Sequence, residues 1–81
     1  MKILVYSTPT CPYCKMAKEY LIQNKVEFVN FDVSADEKRA EEMVAKSGQR
    51  GVPVIMVEKD NGQEEIIIGF DKSRLAAVIN K

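Results

Sequence analysis

The chain has 81 residues, 12 of them basic and 12 acidic, with a formal net charge of zero and a hydrophobic share of 46%. That length suits one small domain, 1–81, and the apolar content is too high for a disordered chain. The neutral balance gives no bulk attraction to nucleic acid or anionic membrane, no run approaches the ~20 apolar residues of a membrane span, and the absence of histidine excludes a Cys–His nucleophile.

The opening "MKILVY" is apolar for only four residues before Ser7 and Pro9, shorter than the core of an export signal. The expected compartment is the reducing cytoplasm, where structural disulfides are rare. Ile3, Leu4, Val5 and Tyr6 predict a short buried strand over 2–7. A helix is predicted over 12–24. Met16, Ala17, Tyr20 and Leu21 recur at three- and four-residue spacing as its inner stripe, and Pro12 suits its first position. Asn24 is the expected left-handed stop. "VEFVNFDV", 26–33, aromatic and β-branched, predicts a second strand.

Ser34 and Glu37 have capping-box spacing and open a helix over 35–47. Ala40, Met43, Val44 and Ser47 form its inner stripe, and Gly48 ends it. "VPVIMVE", 52–58, predicts a third strand, and Asn61-Gly62 is a hairpin turn signal that returns 64–68 antiparallel. Asp71 caps a last helix with Leu75, Val78 and Ile79 on one face. The order β-α-β-α-β-β-α joins a parallel βαβ unit to an antiparallel pair. It predicts an α/β fold: a four-stranded mixed sheet with three helices distributed over both faces.

"TCPYCK", 10–15, holds both cysteines of the chain, just after a predicted strand and at the opening of a predicted helix. Helix N-termini carry unpaired N–H groups and the positive end of the dipole. Cys11 falls at the N-cap, where a thiolate would accept those N–H bonds. Cys14 lies one turn in, on the same face, within disulfide reach and more covered. Cys11 is therefore the expected nucleophile and Cys14 the residue that resolves the mixed disulfide, with Lys15 and Lys18 adding positive potential. A structural disulfide here would close a two-residue loop and constrain almost nothing. A zinc site needs about four ligands, which only a dimer of this chain could complete. A redox-active dithiol is the preferred reading, because a βαβ context is the expected setting for the motif.

Val52-Pro53, in "GQRGVPVIMV", carries two readings. Proline gives up a ladder donor, so it suits a strand's first residue. Alternatively the bond is cis and Val52 presents its backbone N–H and C=O toward the thiols, where an extended thiol peptide could pair with them.

On these residues the chain resembles glutaredoxins, within the thioredoxin fold, over essentially its whole length. "CPYC" after the first strand, "GQRGVP" before the third and "GFD" after the fourth carry the resemblance. It implies a glutathione-dependent thiol–disulfide oxidoreductase, monomeric and cytoplasmic, that reduces protein disulfides and glutathione mixed disulfides. Glutathione would be a co-substrate, with no permanently bound cofactor, metal or flavin. The resemblance further implies that Cys11 attacks disulfides and carries the glutathionyl adduct, and that Cys14 resolves it. Tyr13 would pack beside the tripeptide, Gln49 and Arg50 would lie near its glycyl carboxylate, and Val52 would pair with its backbone, with Pro53 cis. Gly69, Phe70 and Asp71 would receive the γ-glutamyl end, Asp71 pairing with its ammonium.

Three positions depart from the usual pattern: Thr8 replaces a common lysine, Gly51 precedes Val52-Pro53 where threonine is usual, and Ile68-Gly69 replaces Gly-Gly. The following Phe70 makes a Gly-Phe pair similar to that of glutaredoxin-like redoxins that thioredoxin reductase recharges and that serve ribonucleotide reductase. That is the alternative within the class. An iron–sulfur cluster bridging two chains through Cys11 is the alternative of another class, against which Pro12 and Cys14 both count.

Overall fold

In the computed structural model, which describes residues 1–79, the strand β1 (Lys2–Ser7) is buried over its last five residues because it lies inside the sheet. The sheet has the order β2-β1-β3-β4, with β2 at Val29–Asp32, β3 at Val54–Glu58 and β4 at Glu64–Ile68. β1 runs parallel to β2, with Leu4 opposite Val29 and Ser7 opposite Asp32. It runs antiparallel to β3, Ile3 opposite Val57 and Tyr6 opposite Val54, and β3 pairs antiparallel with β4. The two inner strands read as unbroken apolar runs because helices cover both of their faces. The predicted α/β fold, a mixed four-stranded sheet with three helices, is the observed one.

Side-chain alternation along β1 sorts the core into two layers. Ile3 and Val5 join Ile55, Val57 and Ile67 under Ala17 and Leu21 of α1 (Pro12–Gln23) and Leu75 and Val78 of α3 (Lys72–Ile79). Leu4 and Tyr6 join Val54 and Met56 under Met43 of α2 (Glu37–Ser47). Helices α1 and α3 therefore share one face and α2 covers the other.

Several local expectations are corrected. The inner stripe of α1 is Cys14, Ala17 and Leu21, with Tyr20 packed partly buried against it as expected, and Met16 is 45% exposed. The buried sulfur at Cys14 sets the inward direction and turns Met16 out. Asn24 is not left-handed: its φ is −91°, and Lys25 takes that conformation at φ 58°. The Lys25 N–H donates to Ile22 O and the Val26 N–H to Leu21 O, each at 3.0 Å, which is the Schellman pattern, and it drops Val26 onto the core. The second strand starts at Val29, because Val26 and Phe28 pack against the core as part of the connection.

Helix α2 is capped by Asp36, whose carboxylate accepts the Arg39 N–H at 3.2 Å. Ser34 instead donates its hydroxyl and its N–H to Asp32. Only Met43 of the predicted α2 stripe is fully buried. At the hairpin, the turn bond runs from the Gly62 N–H to Lys59 O, and Lys59 N–H pairs with Gln63 O. Gly62 is left-handed at φ 87° and Asn61 is not, so the connection is a three-residue loop closed by a glycine bulge and not a two-residue Asn-Gly turn. Strand β3 starts at Val54, since Pro53 has no N–H to donate.

Candidate functional site

The loop between β1 and α1 places Cys11 at the helix N-cap, with extended backbone at φ −95° and ψ 112°. Its sulfur accepts the Cys14 N–H at 3.1 Å. This is the capping geometry of an oxygen side chain with sulfur in its place, and Pro12 leaves no competing N–H at the first helical position. Both cysteines are reduced; Cys11 is partly exposed and Cys14 fully buried. Burial pushes the Cys14 thiol up from its ordinary 9.0 to about 11, helped by its hydrogen bonding with Cys11, while Lys18 pulls weakly the other way. The pair is therefore asymmetric: one sulfur meets solvent and the Cys14 N–H of the helix start, and the other keeps its proton in the core.

On the other side of Cys11 the Val52–Pro53 peptide bond is cis, and Val52 O lies 3.9 Å from Cys11 Sγ. The Val52 N–H makes no backbone hydrogen bond among the described residues. Pro53 O accepts the Gly69 N–H at 2.8 Å, which ties this loop to the end of β4. Gly69 is left-handed at φ 76°, so the chain can leave β4 and enter α3 beside the thiols only with a residue that tolerates that conformation. Asp71 caps α3, its carboxylate accepting the Arg74 N–H at 3.1 Å and its carbonyl the Leu75 N–H at 3.0 Å.

These pieces enclose an open groove of about 500 Å³ lined by Tyr13, Val52, Pro53, Ile68, Gly69, Phe70, Asp71, Lys72 and Ser73. Six of the eight residues expected to contact glutathione are thus brought together. Gln49 and Arg50 are not among the lining residues. Gln49 is half-buried and its N–H turns back to Ser47 Oγ at 3.2 Å, while Arg50 borders a separate hollow with Glu37, Ala40 and Glu41 of α2. Sequence reasoning missed Ile68, Lys72 and Ser73; the last two follow the Asp71 cap, and the first turn of a capped helix was the available signal. Among the described residues no group of three or more His, Cys, Asp or Glu is arranged to hold a metal ion, and no helix is long and apolar enough to cross a membrane.

Comparison with known proteins bears on this arrangement. The Glutaredoxin family model matches residues 3–61. The chain is 46% identical over 79 residues to an uncharacterized glutaredoxin-like 8.6 kDa protein in the rubredoxin operon of Clostridium pasteurianum, covering 98% of this chain and 99% of that one. Among solved structures it is similar to a glutaredoxin of Archaeoglobus fulgidus, with a TM-score of 0.83, 27% identity, and 99% and 87% of the two chains covered. It is also similar to the glutaredoxin-like NrdH-redoxin of Escherichia coli, with a TM-score of 0.75, 25% identity, and 99% and 92% covered. A family model over most of the chain and a relative matched along nearly all of it agree with the paired thiols at a helix start: the protein belongs to the glutaredoxin family of thiol redox proteins.

Proposed function

We propose that this protein is a glutathione-dependent thiol–disulfide oxidoreductase that reduces protein disulfides and glutathione mixed disulfides through Cys11 and Cys14. The groove beside Cys11 is the observation that carries the reading. Cys11, the accessible sulfur, attacks a substrate disulfide; one substrate thiolate leaves and a mixed disulfide forms on Cys11. Cys14 then attacks Cys11 Sγ, releasing the second substrate thiol and closing the Cys11–Cys14 disulfide. A glutathione thiolate opens that disulfide at Cys11, and a second glutathione removes the first as oxidised glutathione. Glutathione is a co-substrate here, and no resident cofactor takes part.

The groove chemistry supports an extended γ-glutamyl peptide. Val52 offers a backbone donor and acceptor beside the sulfur, which suits pairing with the cysteinyl residue of the tripeptide. Asp71 offers a carboxylate to the γ-glutamyl ammonium, and the first-turn N–H groups of α3 offer an anion site to its carboxylate.

A second reading, a redoxin recharged by thioredoxin reductase, is favoured by one specific arrangement. Phe70 follows Gly69 in the groove lining and adds apolar surface there, and neither Gln49 nor Arg50 is among the lining residues. The similarity to NrdH-redoxin supports the same reading. The two are separated by the rate at which the Cys11–Cys14 disulfide is reduced by glutathione with glutathione reductase and by thioredoxin reductase, each with NADPH. The glutathione reading expects the first to be faster, and Asp71→Asn, which keeps a capping side chain, to slow it several-fold. Reduction by thioredoxin reductase alone would replace it with the second reading.

A further inference from the structure

One polar cluster near the thiols has no part in the chemistry described so far. Ile3, Val5 and Ser7 alternate onto the face of β1 that α1 covers, and Ser7 is buried there. The parallel register sets Asn30 opposite Val5 and Asp32 opposite Ser7, so both polar side chains of β2 share that face. The Ser7 hydroxyl donates to Asn30 Oδ1 at 2.6 Å. Above them lies α1, with Cys14 inward. Lys18 follows Cys14 by four residues, which places it one turn on along the same side of the helix. It is half-buried, unlike the exposed Lys15, and helical side chains lean toward the N-terminus, which brings its ammonium back toward the level of Cys14.

Two further observations agree with this placement. Asp32 has its carboxyl held below the usual range chiefly by the Ser34 hydroxyl, then by the Ser34 and Ala35 N–H groups, with Lys18 the smallest contribution. Lys18 likewise opposes the effect of burial on Cys14. The charged and titratable groups around Cys14 are thus Cys11 at the helix cap and Lys18 on α1, with the Asp32 carboxylate, bound to Ser34, on the neighbouring β2.

We propose that Lys18 is the positioning residue of the resolving step: its ammonium, one helical turn beyond Cys14 on the same side of α1, stabilises the negative charge that forms on Cys14 as Cys14 attacks the mixed disulfide. In that step Cys14 releases its proton to solvent and forms a bond to Cys11 Sγ. The bond between Cys11 Sγ and the substrate sulfur breaks, and its electron pair leaves with the substrate thiolate, which takes up a proton from solvent. Two electrons pass from the protein dithiol to the substrate disulfide, and Lys18 keeps its own proton throughout. The attack by Cys11 does not use it. The inference rests on the dithiol reading above.

The test is a single turnover of the reduced protein with dithiobis-nitrobenzoate, which releases one coloured thiolate when Cys11 attacks and another when Cys14 resolves. In Lys18→Gln the second phase is expected to slow roughly three- to tenfold at neutral pH, with its pH profile displaced upward, because a half-buried opposite charge has been removed from a forming thiolate. The first phase should keep its rate, and Lys18→Arg should restore the second. If the wild-type protein gives only the first phase, the dithiol reading itself fails. If two phases appear and Lys18→Gln leaves the second unchanged, or slows both alike, the role of Lys18 is overturned and the dithiol reading stands.

Discussion

Cys11 and Cys14 carry the same side chain into opposite surroundings, and the chemistry follows from that difference. The Cys11 sulfur has the N-cap position, an N–H donor at 3.1 Å and access to solvent; Cys14 is buried and holds its proton. Cys11→Ser is therefore expected to abolish thiol transfer. Cys14→Ser should leave a mixed disulfide trapped on Cys11, readable by mass spectrometry after exposure to oxidised glutathione. An adduct found mainly on Cys14 in the wild-type protein would reverse the roles. This much was legible in six residues, "TCPYCK", because a helix start preceded by a strand determines which sulfur is outermost. Asp71 was legible for the same reason, as a cap. The positions of Gln49 and Arg50 were not, since they sit in a loop whose direction is set by how α2 ends on Gly48 and how Pro53 enters the sheet, and no local periodicity encodes that.

At the scale of elements, the strands were read well where burial on both faces left continuous apolar runs, as in β1 and β3. The errors lie at ends, where one residue's backbone preference competes with tertiary packing. Asn24 is a better left-handed residue than lysine by its side chain, yet Lys25 adopts φ 58° because that register lets Val26 reach the core. The capping-box spacing at Ser34 lost to Asp36 because the carboxylate of Asp32, the last residue of β2, takes both Ser34 donors. The stop of α1 is testable. A left-handed non-glycine residue costs about 1–2 kcal/mol, partly offset by the greater unfolded-state freedom of glycine, so Lys25→Gly should stabilise the protein by about 0.5–1 kcal/mol. Urea unfolding at neutral pH measures it, and a loss of stability would show that the Lys25 side chain contributes more than its backbone costs.

Across the whole molecule the sheet separates two buried protons. Cys14 sits under α1 on one face, and Tyr6 lies in the layer beneath α2 on the other, its hydroxyl buried without a hydrogen-bond partner among the described residues. Burial first, and then the nearby Glu42 carboxylate, push the Tyr6 hydroxyl up from 10.0 to about 12, as burial pushes Cys14 from 9.0 to about 11. Both groups bind their protons more tightly folded than unfolded. Their contribution to stability is complete below the unfolded values and is lost as pH rises through the folded ones. Stability of the reduced protein should therefore begin to fall above pH 9, through the Cys14 thiol, by an amount on the order of 1–3 kcal/mol once pH passes the folded value. The oxidised protein has Cys14 in a disulfide and no thiol proton to lose, so its decline should start later, above pH 10, where Tyr6 begins to matter. Tyr6→Phe should remove that later decline from both forms and leave the earlier one in the reduced form alone. Urea midpoints of both forms, collected from neutral pH upward, decide it: superimposable curves for the reduced and oxidised protein between pH 9 and pH 11 would mean that the Cys14 proton is not held by the fold.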